Sequence, residues 1–153
     1  MGHEIERKFL VTGEDWRSGA RCCRIQQGYL TAGVLASARI RLMDEAGYLT
    51  IKSAGADLVR REFEYPIPAA DARAMLDELC AQPVLNKLRY SLEAAGRLWT
   101  VDIFEGALAG LRLAETELTS VDEVVSLPPW VGQEVTGDPR YLNSSLAKAT
   151  RVP

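Results

Sequence analysis

Apolar and polar residues alternate with period two along most of the chain, the pattern of strands with two chemically different faces. Between residues 3 and 11, Ile5 and Phe9 fall opposite Glu4, Glu6 and Lys8. A polar stretch at 13–19 predicts a turn or a single helical turn before a second strand that ends in QQGYL at 26–30. Further alternating runs at 36–44, 47–54, 58–68, 84–93, 97–105 and 110–119 bring the predicted strands to eight, with EAG at 45–47 and AAG at 94–96 as hairpin connections. The period changes over 69–80, where Ala72, Met75, Leu76 and Leu79 form one apolar helical face. The Pro- and Gly-rich tail at 126–138 reads as a loop, and Asp138 before Pro139 predicts a helix from 139 to about 149, a capping side chain followed by proline at the first helical position. No repeat or linker interrupts the chain, so residues 1–153 are expected to form one domain, mainly β (α+β), as an antiparallel sheet or closed barrel with a few peripheral helices.

Composition narrows the partners. At 153 residues, 47% hydrophobic and 25% charged, the chain has the material for one packed core and is not a disordered polymer. A formal net charge of −3 gives no bulk attraction for nucleic acid or an anionic membrane, so neither is expected as a partner. No apolar run reaches the roughly 18 residues a membrane span needs. Cys22, Cys23 and Cys80 form neither a disulfide framework nor a CxxC motif, which suits a reducing cytoplasm. Of the eighteen basic residues only Lys8, Lys52, Lys87 and Lys148 are lysines.

Strand phase sorts the charges onto shared faces: Glu4, Glu6 and Lys8; Arg39 and Arg41; Arg60, Glu62 and Glu64; Lys87 and Arg89; Glu115 and Glu117; with Lys52 and Asp102 as singles. The plain reading is the solvated side of a half-buried sheet. Against it stand the like-charged pairs at i and i+2, which suit a site where an opposite charge binds between them, and the placement of three of the four lysines on this face. Carboxylates bind a hard divalent cation, Mg²⁺ or Mn²⁺, while Arg and Lys hold the phosphate oxygens that the metal also bridges. Such a set clamps a triphosphate and stabilises charge on a transferring phosphoryl group, provided that the sheet closes with this face inward.

HEIERKFLV at 3–11, with Glu4, Glu6 and Lys8 spelling ExExK, resembles the signature of the CYTH superfamily, the triphosphate tunnel metalloenzymes. QGYL at 27–30, RIR at 39–41, IKS at 51–53, RREFE at 60–64, KLRY at 87–90, VDIFEG at 101–106, AETEL at 114–118 and PPWVGQEVTGDPRYLNSSLA at 128–147 extend the resemblance over nearly the whole chain. It implies a closed eight-stranded antiparallel barrel with a charged tunnel, and among its members most resembles small bacterial enzymes that hydrolyse inorganic triphosphate to pyrophosphate and phosphate. Class IV adenylate cyclases, nucleoside or thiamine triphosphatases on the same fold, and a non-catalytic polyphosphate-binding module are the alternatives.

Residue by residue, the resemblance implies Glu4, Glu6 and Glu117 as first-choice metal ligands. Glu115, Glu62, Glu64 and Asp102 would hold a second metal, bound water or neighbouring cations. Lys8, Arg39, Arg41, Lys52, Arg60 and Arg89 would grip phosphate oxygens, and Lys87 would act as general base beside Tyr29. Crowding by cations lowers the pKa of Lys87 while carboxylates and phosphate raise it, so Lys87 serves either as base or only to neutralise charge. Related chains carry an acidic residue before RxR and a further Lys in the last helix; here Ser37, Ala38 and Ser144 stand there, which touches peripheral contacts and leaves the central set whole. His3 falls on the opposite phase from Glu4, and Trp99, Trp130 and Phe104 read as packing. A small-molecule triphosphate is thus the expected partner of a soluble monomer or homodimer.

Overall fold

The computed structural model describes residues 2–55 and 58–153. Its strands are β1 (Gly2–Val11), β2 (Arg21–Ala32), β3 (Ala36–Met43), β4 (Ala46–Ser53), β5 (Val59–Ile67), β6 (Leu85–Ala94), β7 (Arg97–Phe104), β8 (Arg112–Glu117) and β9 (Val131–Glu134), with helices α1 (Ala69–Glu78) and α2 (Asn143–Leu146). The strands follow the order β5-β4-β3-β2-β6-β7-β8-β1, every pair antiparallel, and β1 then pairs with β5 through Gly2–Ile5, closing eight strands into a barrel. β1 serves both sides of the closure, because its second half, Glu6 to Leu10, carries the register with β8.

Closure turns the charged face inward and leaves most of the apolar face to be covered from outside. Phe9, Trp99, Val101 and Ala114, on the opposite phase from Lys8, Asp102 and Glu115, pack with Trp16 and Trp130. Trp16 comes from the single helical turn at Asp15–Arg17. A second cluster joins Ile40 and Leu42 of β3 to Ala72, Leu76 and Cys80, seating α1 against the barrel wall. Each large apolar side chain removed from water in these clusters contributes about 1.5–3 kcal/mol. Two glycines permit the close fit: a Cβ on Gly47 would stand 2.9 Å from the Ala72 Cβ, and one on Gly28 2.8 Å from the Cys80 Cβ. Gly47 is therefore a packing residue inside β4, and the hairpin turn lies one step earlier, at Asp44 and Glu45, with Asp44 at φ 49°.

The third cluster closes one end of the barrel. Leu85, Phe104 and Leu113 share the inward phase of Lys87, Asp102 and Glu115 but sit nearer that end, where they meet Leu108, Leu111, Val135, Tyr141 and Leu146.

Two expectations for the tail need correction. The stretch 126–138 is not all loop, because β9 lies along the part of β1 that β5 has left, and Val135 N donates to Lys8 O at 2.8 Å. The predicted helix over 139–149 is broken. Asp138 caps a 3-10 turn at Pro139–Tyr141, accepting from Arg140 N at 3.0 Å, but Leu142 is extended before α2 begins. Tyr141 and Leu146 both pack into the closing cluster. Five residues apart on one continuous helix they would point about 140° away from each other, so the break is what lets both reach it. Among the described residues no helix is long and apolar enough to cross a membrane.

Candidate active site

Inside the barrel lies a cavity of roughly 350 Å³. Glu4 and Glu6 of β1, Arg39 and Arg41 of β3, Lys52 of β4, Glu62 and Glu64 of β5, Arg89 of β6, and Glu115 and Glu117 of β8 all line it. Lys8 and Arg60 line a smaller space of roughly 40 Å³ that shares Glu4 and Glu6 with the first. Lys87 and Asp102, 0% and 1% exposed, lie beneath the wall. Tyr29 is placed apart from Lys87: on β2 it faces Arg39, whereas Lys87 faces Ile25, about 13 Å along the same strand. The charge pattern did not mark Arg97, Leu98, Thr100, Thr116 and Asn143, which also line the cavity, or the buried Thr50, which bonds to Arg39 and Glu64. Thr100 shares the inward phase of Asp102 and could have been found from it; uncharged Asn143, in the tail, gave no signal.

Beneath the cavity the charges are closely paired. Arg89 donates to both Asp102 oxygens, Nε at 2.7 Å and Nη2 at 2.8 Å, and the Lys87 ammonium approaches the same carboxylate at 2.7 Å. Burial opposes ionisation of Asp102, but the two cations overrule it and hold its pKa well below the usual carboxylate range. Arg89 engages both oxygens of that carboxylate, so Lys87 shares it. Lys87 therefore gains less from Asp102 than burial costs it, and with Arg89 and Arg41 adding repulsion its pKa falls to about 7. Lys87 Nζ also donates to Asn143 Oδ1 at 3.4 Å, linking it to a residue of the cavity wall.

Higher in the barrel, Lys52 bridges Glu4 at 2.6 Å and Glu62 at 3.0 Å. Burial works against its charge, but Glu6 and Glu4 more than offset that and raise its pKa. Glu115 is pushed up by burial and pulled down further by Lys8, 3.7 Å away, and by Arg89, ending at about 2. On the β3 wall Arg39 Nη2 donates to Thr50 Oγ1 at 3.3 Å, and Thr50 donates in turn to Glu64 at 2.8 Å.

Three groups stand outside this pairing. Glu6 faces Glu117 directly across β1 and β8, and among the described residues neither carboxylate has a cation or a hydrogen-bond donor. Burial, then Glu115 and Glu4, drive Glu6 up to about 8. The Arg41 side chain makes no ion pair or hydrogen bond among the described residues, and burial, then Arg39 and Arg89, bring it down to about 9. No group of three acidic, His or Cys side chains is already converged on one point among the described residues. Glu6, with the exposed Glu117 across from it in the strand register, nevertheless offers the oxygen-donor chemistry a hard divalent cation requires, and an unneutralised guanidinium suits a phosphate.

The sequence matches the CYTH domain over residues 2–152. The chain belongs to the CYTH family. A protein of Acetivibrio thermocellus named inorganic triphosphatase is 45% identical over 148 residues, covering 97% of this chain and 95% of that one. A protein of the same name from Nitrosomonas europaea is 38% identical over 149 residues, 94% of this chain and 96% of the other. A crystal structure described as an inorganic triphosphatase superposes with a TM-score of 0.71 at 35% identity, covering 97% and 96% of the two chains. CYTH triphosphatases generally depend on a metal, and the Glu6–Glu117 pair fits that requirement.

Proposed function

We propose that this CYTH protein hydrolyses inorganic triphosphate to pyrophosphate and phosphate. Full-length similarity to two proteins named for that activity supports the reading. The observation in the molecule that carries it is the unneutralised Arg41 in the same cavity as the unneutralised Glu6 and Glu117. A ligand that satisfies both ends is a polyanion accompanied by a divalent cation.

In this reading Glu6 and Glu117, with Glu4, Glu62 and Glu64 near them, hold Mg²⁺ or Mn²⁺. Bound there, the ion would neutralise phosphate charge and polarise the phosphoryl oxygens. Arg39, Arg41, Lys52 and Arg89 grip the chain from the cavity wall, Lys8 and Arg60 from the adjoining space. Asp102 holds Arg89 and Lys87 in place, and Glu115 does the same for Lys8. Water attacks a terminal phosphorus, the phosphoanhydride bond breaks, and pyrophosphate leaves with the electron pair. With its pKa at about 7, Lys87 is partly neutral at physiological pH and serves as the acceptor for the proton of that water, while Asn143, whose Oδ1 accepts from Lys87 Nζ, orients the water and relays no proton. Tyr29, across from Arg39 in the β2–β3 register and farther along the strand next to that of Lys87, orients substrate from that side of the barrel. Free thiols at Cys22, Cys23 and Cys80 support a cytoplasmic setting.

The test is to incubate purified protein with inorganic triphosphate, ATP or thiamine triphosphate, with Mg²⁺ or Mn²⁺, and follow phosphate and cyclic AMP. Phosphate release fastest from inorganic triphosphate, lost in Glu6→Ala and Lys87→Ala, is the expected result. Cyclic AMP formation, or tight binding without turnover of any substrate, would overturn it.

A further inference from the structure

We propose that Gln27 is a positioning residue for Arg41: with triphosphate bound, its carboxamide oxygen accepts the Arg41 Nε–H and aims both terminal guanidinium nitrogens at one phosphate. The proposal rests on the triphosphate reading above and adds a residue to that site.

Gln27 stands directly opposite Arg41 in the β2–β3 register, which sets their Cβ atoms about 5 Å apart. It faces the barrel interior, since its neighbour Gly28 faces outward against Cys80. The side chain is 0% exposed, and neither Oε1 nor Nε2 has a partner. The Nε of Arg41 is buried and unpartnered as well, as is that of Arg39, but Arg39 stands opposite Tyr29 and Arg41 opposite Gln27. A buried acceptor and a buried donor thus lie across from each other unbonded, an arrangement that proteins seldom keep without a reason. The cross-strand neighbour on the other side of Gln27, Leu85, offers no polar atom.

Among the described guanidiniums that line the main cavity, Arg41 is the one without a carboxylate partner: Arg39 has Glu64 at 3.9 Å, Arg89 has Asp102 and Arg97 has Glu123. Of the lysines, Lys8 has Glu115, and Lys52 has Glu4 and Glu62. A phosphate in the cavity draws the guanidinium towards it. An acceptor on Nε fixes the rotation of the planar fork, so that Nη1 and Nη2 meet two oxygens of the same phosphate.

The test is a double-mutant cycle with Gln27→Leu and Arg41→Lys. Binding of a non-hydrolysable methylene-bridged analogue of inorganic triphosphate is read by titration calorimetry with Mn²⁺, and KM and kcat are read with inorganic triphosphate and Mn²⁺. Gln27→Leu should weaken binding about tenfold or more and raise KM more than it lowers kcat. The melting temperature should not fall, because a near-isosteric leucine removes two unpartnered polar atoms. Arg41→Lys has no Nε–H, so adding Gln27→Leu to it should change nothing further. Wild-type affinity in Gln27→Leu, or an equal loss in the Arg41→Lys background, would overturn the proposal. Gln27→Met gives the same comparison with a more pliable side chain should leucine not be accommodated. Calorimetry decides the role of Gln27 separately from hydrolysis, so failure of the activity reading is distinguishable.

Discussion

Replacing Lys87 with methionine tests whether the cation beneath the cavity is kept at the expense of stability. Its pKa is about 7 in the folded protein against an ordinary 10.5. At about 1.4 kcal/mol per pH unit, carrying the ammonium in its buried place costs the folded state about 5 kcal/mol. Because the folded value is the lower one, the whole cost is present below pH 7, shrinks between pH 7 and 10.5, and is gone above. Methionine matches the lysine stem in length and does not titrate, and Asp102 keeps both hydrogen bonds from Arg89. Urea unfolding of the two proteins at pH 6.5, 7.5, 8.5 and 9.5 reads the difference in their stabilities, in which other titrating groups cancel. The advantage of Lys87→Met should shrink by about 1.4 kcal/mol per pH unit above pH 7, in a variant that has lost its triphosphatase activity. A difference that stays constant with pH, or grows, would refute the reasoning and place Lys87 among ordinary paired lysines.

Asp102→Asn leaves two buried cations without their anion and should lower stability by about 3–5 kcal/mol, measured by the same denaturant titration at pH 7. Glu6→Gln removes a carboxylate whose pKa of about 8 marks an ionised form disfavoured in the fold. Its stability gain over wild type should therefore be absent near pH 4, grow as pH rises towards 8, and level off beyond it. Millimolar Mn²⁺ should raise the melting temperature of wild type and have a much smaller effect on Glu6→Gln, as followed by scanning calorimetry. Gly47→Ala forces a Cβ against Ala72 and the Ile67 carbonyl, both at 2.9 Å, and should cost about 1–3 kcal/mol with little change in KM.

Alternation made eight strands and their inward face legible, because period two depends only on neighbouring residues. All fourteen charged residues assigned to that face lie at the cavity, at the space beside it or just beneath its wall. Depth was not legible. Phase places Lys87 inward but does not say that Leu85 and Phe104, on the same phase, crowd that level and shut it from water. Pairing between distant strands was not legible either: Tyr29 and Lys87 are kept apart by the register of β2 with β6, which no local pattern encodes. β9 was hidden for a similar reason. Its residues form a strand because β5 leaves an open edge on β1, a circumstance set far away in the chain. Gln27 and Thr100 carry the right phase but no charge, so a search led by charge passes over them.

The placement of the apolar clusters on the outer wall and at one end also bears on how such a barrel changes over generations. In most globular domains a mutation in the interior risks the fold. Here the tryptophans and α1 hold the shell from without, and the lining is free of that duty apart from the buried Asp102 group. Substitutions at the lining can redirect which polyanion is accepted while the shell stays intact, and substitutions at the shell can adjust heat tolerance without touching the ligand. Robustness and innovation therefore fall on different sides of one sheet, which makes this architecture a favourable starting point for new specificities.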